Sequence, residues 1–323
     1  MAFKREPQNF AAKINALALG PEGKEVTFGG GNTLPFYNFD APNGNRPKIG
    51  VVISDSGYYK GVPGIEAYYA GAGSAVDAAK KAAAMPGADF IVISLEGAHP
   101  DKGDKSPEEC AALIKEIAEA VDIPIVIEGC KNIEKDAKVL EKAAEAVQGK
   151  NVLIMSAREE NYKGISAAAG LAYAQKLCAE SSVDINLAKQ LNVLISQMGV
   201  KPANMAMNLG AAAAGYGFEY VVSTIDRVKA AALAQNDAML QMPVITPVYS
   251  ETWTVKEAIA DEADYPEWGP AEQRGVNMEI VTAAACLAAG SDAVILRHPD
   301  SVAAICELID ALTGVEEGKH NGA

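Results

Sequence analysis

Phe90-Ile91-Val92-Ile93-Ser94-Leu95 and Ile125-Val126-Ile127-Glu128 frame the segment that decides the fold. Both runs are apolar without alternation, as strands buried on two faces of a parallel sheet are. Between them the chain reads as an amphipathic helix. It opens at Ser106-Pro107-Glu108-Glu109, where Ser106 can cap, Pro107 suits the first helical position and Glu109 completes a capping box. Its apolar positions Cys110, Leu113, Ile114, Ile117 and Val121 fall on one face. Strand, helix and strand together make a parallel βαβ unit.

Outward from this unit the pattern repeats. Short apolar runs recur at 49–54, 90–95, 125–128, 152–156, 183–186, 204–207, 243–248 and 293–296. The helix after the third run is capped by Asn132 and carries Ile133, Ala137, Leu140, Ala144 and Val147 on one face. The last helix carries Val302, Ile305, Ile309 and Leu312 and is expected to stop at Gly314. Two helix-to-strand joints share one form, residues 85–89 and 288–292, each pairing a glycine with a polar residue before an apolar strand. Eight strands alternating with helices predict an α/β fold, a (β/α)8 TIM barrel over residues 48–323. A doubly wound open sheet is the alternative, because alternation alone does not show closure. Residues 1–47 break the rhythm with Gly29-Gly30-Gly31, Pro35, Pro42 and Pro47. They predict an irregular N-terminal arm with room for a short hairpin, packed by its aromatics Phe36, Tyr37 and Phe39.

Composition narrows the function. The 323 residues are 49% hydrophobic but only 6% aromatic, so the core is aliphatic. A net charge of −14 repels phosphate backbones and argues against nucleic acid. No apolar run approaches the ~20 residues that span a bilayer, and residues 1–13 lack a signal-peptide core. No membrane association and a cytoplasmic location are expected. Cys110, Cys130, Cys178, Cys286 and Cys306 are odd in number and widely spaced, with no CxxC pair. No iron–sulfur cluster or metal is therefore expected in this chain. The three histidines, His99, His298 and His320, are too scattered for a histidine metal site.

In such a barrel the loops after the strands form the functional face. The loop after the first strand, 55–74, holds Tyr58, Tyr59, Tyr68 and Tyr69. The loop after the seventh, 249–272, holds Trp253, Tyr265 and Trp268. These loops neighbour one another in a closed barrel and predict an aromatic wall. The strand ends are chemically mild: Ser54, Glu96, Glu128, Ser156, Asn186, Asn208, Thr246 and Arg297. No strand ends in lysine, which disfavours Schiff-base chemistry. Glu96 and Glu128 suit either an acid/base pair or hydrogen bonding to loop backbone. No convincing catalytic set emerges from the residues alone.

Several strings carry a resemblance. They are Leu34-Pro-Phe-Tyr-Asn-Phe-Asp40, Asn45-Arg-Pro-Lys-Ile-Gly50, Ile133-Glu-Lys-Asp136 and Glu160-Asn-Tyr-Lys163. Further on come Asp184-Ile-Asn-Leu-Ala-Lys-Gln-Leu-Asn192, Gly215-Tyr-Gly-Phe-Glu-Tyr220, Tyr265-Pro-Glu-Trp-Gly269 and Arg297-His-Pro299. In this order the chain resembles the small subunit of the corrinoid/iron–sulfur protein, whose archaeal counterpart is the delta subunit of the acetyl-CoA decarbonylase/synthase complex. The resemblance implies a barrel paired with a corrinoid/iron–sulfur protein large subunit that carries the [4Fe–4S] cluster and a mobile cobalamin domain. It further implies a methyl carrier of the reductive acetyl-CoA (Wood–Ljungdahl) pathway. Cobalt(I) would take its methyl group from methyltetrahydrofolate through a methyltetrahydrofolate methyltransferase. The methyl group would pass on to acetyl-CoA synthase/CO dehydrogenase. Cobalamin is then shared at the subunit interface, and the barrel caps it. Ser54, Asn186, Asn208, Tyr216, Thr246 and Tyr249 are the expected corrin contacts. In one place the chain departs from the family: Asn208-Leu209-Gly210 stands where an acidic residue and proline are expected. The alternative is a pterin-binding TIM-barrel methyltransferase, with Asn186 and Asn208 holding the pterin.

Overall fold

The computed structural model describes residues 8–34 and 44–313. Ala16–Leu19 (β1) and Val26–Gly29 (β2) form an antiparallel hairpin. Eight parallel strands follow: Lys48–Ser54 (β3), Phe90–Ser94 (β4), Ile125–Glu128 (β5), Leu153–Ala157 (β6), Lys176–Glu180 (β7), Met205–Asn208 (β8), Ile245–Thr246 (β9) and Ala293–Leu296 (β10). From β4 to β8 each strand pairs with its predecessor in sequence, and β10 lies between β9 and β3. A parallel bridge from Met207 to Val244, with the Met207 N–H donating to the Pro243 carbonyl at 2.8 Å, joins the remaining seam. The sheet is thus a barrel with helices between its strands, not a doubly wound open sheet.

Period-two alternation sorts the strand side chains into two cores. Val52, Phe90, Val92, Val126, Leu153 and Ile295 point into the barrel. Their neighbours Val51, Ile53, Ile91, Ile93, Ile127 and Val294 face the surrounding helices. Those helices begin as the sequence predicts. Ser106 Oγ accepts from the Glu109 N–H at 3.2 Å while Glu109 Oε2 accepts from the Ser106 N–H at 2.8 Å, a complete capping box for Pro107–Ala120. Asn132 caps Ile133–Ala146 through the Lys135 N–H.

The β1–β2 hairpin closes the lower end of the barrel. Its Leu17, Leu19 and Phe28, all fully buried, join the interior cluster. Asn151, just ahead of β6, donates to the carbonyls of Ala18 and Gly20 at 3.1 and 3.0 Å, and the Asn15 N–H donates to Gln241, ahead of β9. Both anchors lie at strand starts, opposite the functional face.

The fifth strand is displaced from its expected position. Of residues 183–186, Val183 lies in a bend at φ 56°, Asp184 is the N-cap and the last two open the helix Ile185–Gln197. The strand is Lys176–Glu180 instead. Its ends are charged because each end has a tertiary partner: Lys176 Nζ donates to Asn204 Oδ1 at 2.7 Å and Glu180 pairs with Arg158. Asn186 is accordingly no strand-end residue. It sits in the first helical turn, where its N–H is held by the cap residue Asp184 at 2.8 Å. The expected packing of Phe36, Tyr37 and Phe39 and the helix stop at Gly314 lie outside the described residues.

Candidate functional site

At the open end, the ends of β5 to β8 and the loop after β9 surround a hollow of about 240 Å³. Glu128, Lys131, Arg158, Glu180, Asn208 and Ser250 are among its lining residues. Glu128 ends β5 and is buried, and the Tyr249 hydroxyl donates to its Oε2. Burial pushes the Glu128 carboxyl above the usual carboxylate range, against the pull of Lys131 and the Tyr249 hydrogen bond. Burial likewise raises the Tyr249 hydroxyl, and the Glu128 charge adds to this. Arg158 Nη2 bonds Glu180 Oε1 at 2.6 Å across the ends of β6 and β7. Asn208 Oδ1 accepts from the Gly210 N–H at 3.0 Å.

A second set of groups stands over β3 and β10. Arg297 follows β10 and lays its guanidinium 3.8 Å from the ring centre of Tyr59. Trp253 stacks on His298 at 5.7 Å. His298, nearly inaccessible, bonds Glu272 Oε1 at 2.9 Å through Nε2, and the same carboxylate oxygen takes the Gly64 N–H at 2.5 Å. The loop after β3 is thereby tied to the segment after β9 and to the end of β10, which is the expected aromatic wall. Farther out, Tyr265 stacks on Trp268 at 4.2 Å with Lys256 Nζ 4.3 Å from the Tyr265 ring. Glu96 and Glu128 have separate partners, Lys102 for the first and Tyr249 for the second.

The six expected contact residues are not gathered in one place. Asn208 lines the hollow, and Tyr249 lies beneath it against Glu128. Tyr216 is 49% exposed on the loop after β8, its hydroxyl 2.6 Å from Glu257. Asn186 is exposed at a helix start. Ser54 is buried in its own turn, its Oγ accepting from the Ser56 N–H at 3.0 Å. Thr246 is fully buried and shares a 2.7 Å hydrogen bond with Ser291; its register partner Val294 faces the helices, so Thr246 points away from the hollow. Sequence reasoning passed over Arg158, Glu180 and the buried Glu279. Glu180 was hidden by the misplaced strand. Glu279 carried a signal, a lone acid on the apolar face of Ala271–Ala289, where it accepts the N–H groups of Arg297 and His298 at 2.8 and 3.2 Å.

A corrin is a flat macrocycle fringed with primary amides, which need both donors and acceptors. The hollow presents both, Lys131 and Arg158 as donors and Glu251 and Ser250 as acceptors, so these residues would suit the amides of such a group. His298 is committed to Glu272 and stacked under Trp253.

A (β/α)8 barrel stopped at one end and bearing a polar hollow at the other is the class defined by fold and site. The same fold occurs in dihydropteroate synthase from Coxiella burnetii in complex with pteroic acid, with TM-score 0.57, 12% identity and coverage of 93% of this chain and 100% of that one. It occurs also in dihydropteroate synthase from Stenotrophomonas maltophilia, with TM-score 0.55, 14% identity and coverage of 84% and 95%. At such identities the likeness concerns the fold alone. The particular family is shown by sequence: residues 16–309 match the CO dehydrogenase/acetyl-CoA synthase delta subunit, and the chain belongs to that family. It is 35% identical to acetyl-CoA decarbonylase/synthase complex subunit delta 1 of Methanosarcina thermophila, over 93% of this chain and 69% of the relative. The delta subunit of Methanothermobacter thermautotrophicus is 34% identical over 96% and 79%. Among the described residues no helix is long and apolar enough to cross a membrane.

Proposed function

We propose that the chain is the small subunit of a heterodimeric corrinoid/iron–sulfur protein and that its mouth caps a corrin held by the larger subunit. Membership of the delta-subunit family along residues 16–309 carries this reading. The pairing of the mouth's polar groups supports it. Glu128 is engaged by Tyr249, Arg158 by Glu180, Asn208 Oδ1 by Gly210 and Ser54 by Ser56. Such groups hold shape and exclude water rather than transfer protons. The corrin, when bound, supplies methyl transfer from methyltetrahydrofolate, through its methyltransferase, to acetyl-CoA synthase/CO dehydrogenase in the reductive acetyl-CoA pathway. Lys131, Asn208 and Ser250 bind its amide fringe. Tyr249 fixes the floor below, Asn186 and Tyr216 serve at the exposed rim, and Ser54 and Thr246 brace the wall from behind. The working location is the cytoplasm.

The test uses the assembled heterodimer. Lys131→Ala and Asn208→Ala together are expected to hasten reoxidation of cobalt(I), followed by visible absorbance, by several-fold. An unchanged rate and spectrum would remove the capping role. Binding of methyltetrahydrofolate by the chain without its partner would favour the pterin-binding methyltransferase instead.

A further inference from the structure

Arg297 holds a charge that the rest of the protein does not use. It is half-buried beyond the last residue of β10. Its guanidinium carbon lies 3.8 Å from the centre of Tyr59, 5.4 Å from Tyr249 and 5.9 Å from Trp253. Its backbone is pinned by the buried Glu279, which accepts the N–H groups of residues 297 and 298. Yet among the described residues the guanidinium has no hydrogen-bond or ion-pair partner, and its Nε is buried without an acceptor. The carboxylates nearby are occupied: Glu96 by Lys102, Glu128 by Tyr249, Glu272 by His298 and Gly64, and Glu279 by backbone. Cation–π contact offsets only part of what it costs to leave charged donors unmatched at a half-buried position.

We propose that Arg297 anchors an oxyanion site at the barrel mouth, taking the carboxylate or phosphate group of a small ligand. Tyr59 covers one face of the guanidinium, so acceptors meet it along its in-plane edge. That edge matches two oxygens of one carboxylate or phosphate. The position agrees with a general property of these barrels, which often hold phosphate by the loops after strands seven and eight. Tyr249 and Trp253 follow β9, and Arg297 follows β10. A chain of net charge −14 repels anions at a distance, so affinity here comes from the local donors. All parts of the cradle belong to this chain, and the site stands whether or not a corrin lies over the mouth.

Trp253 and Trp268 are the two tryptophans. The full chain carrying Trp268→Phe therefore reports from Trp253 alone. Inorganic phosphate and acetate are titrated separately, with chloride holding the ionic strength constant. A saturable change in Trp253 emission is expected, with a midpoint on the order of 1 mM and at least about tenfold weaker in Arg297→Gln. Response to phosphate, to acetate or to both supports the site and fixes its class. Circular dichroism checks that the variant is folded; should Arg297→Gln not fold, Arg297→Lys takes its place, with weakening of at least about threefold expected. Absence of a saturable response to either anion, or a response unchanged in the folded variant, overturns the proposal.

Discussion

Glu128 shows how one side chain couples the mouth to stability. Burial raises its carboxyl in the folded chain, so the native state keeps a proton that the unfolded state releases. The stability this adds is complete below the ordinary glutamate range and is lost as pH rises through the elevated value. Glu128→Gln removes that dependence. Its stability relative to the native chain is expected to increase as pH rises above the ordinary glutamate range, read from urea unfolding at each pH. Equal pH slopes for the two proteins would contradict the assignment. The thiols make a second residue-scale case. Burial pushes Cys130 and Cys286 up to about 12 and Cys110 to about 11. With the thiolate scarce and access closed, these three are expected to resist iodoacetamide at pH near 8 until denaturant is added. Mass spectrometry showing their labelling in the native chain would refute this.

At the scale of elements, sequence legibility depended on where each strand finds its partners. β4 and β5 are apolar up to their last residues, Ser94 and Glu128, because both faces are covered by their own barrel, and their limits are readable to within a residue. Those of β7 are not, because its ends are charged, and their partners lie elsewhere in the sequence: Asn204 accepts a hydrogen bond from Lys176, and Arg158 pairs with Glu180. Asp184, a residue type that favours the N-cap, caps the helix directly after the loop that follows β7. The aromatic wall was legible as composition. Its contacts were not, since Tyr59 meets Arg297 only after the barrel closes. The same wall makes Gly275 informative. A Cβ there would lie 2.3 Å from Trp253 Cζ3. Gly275→Ala must push the indole aside, and a loss of about 1–3 kcal/mol is expected together with a shifted Trp253 emission. Unaltered unfolding and fluorescence would show that the loop yields freely.

For the whole molecule, the hairpin ahead of the barrel is as much core as the strands. Phe28 is fully buried within the barrel's interior cluster although it precedes the first barrel strand. Phe28→Ala is expected to cost about 3–5 kcal/mol in unfolding free energy and to loosen the interior as a unit. A change below about 1 kcal/mol would mean that the hairpin merely rests on the barrel. The glycines and prolines of the first 47 residues signalled an irregular arm. They did not disclose that Leu17, Leu19 and Phe28 stop the lower end, because alternation over four residues reads the same in a free hairpin as in a plug.

With its interior filled by side chains and its lower end stopped by the hairpin, the barrel offers a ligand only the open end, over Glu128, Tyr249 and Arg297. Two ligands that need this one face would therefore exclude each other, and an excess of either would weaken the apparent binding of the other.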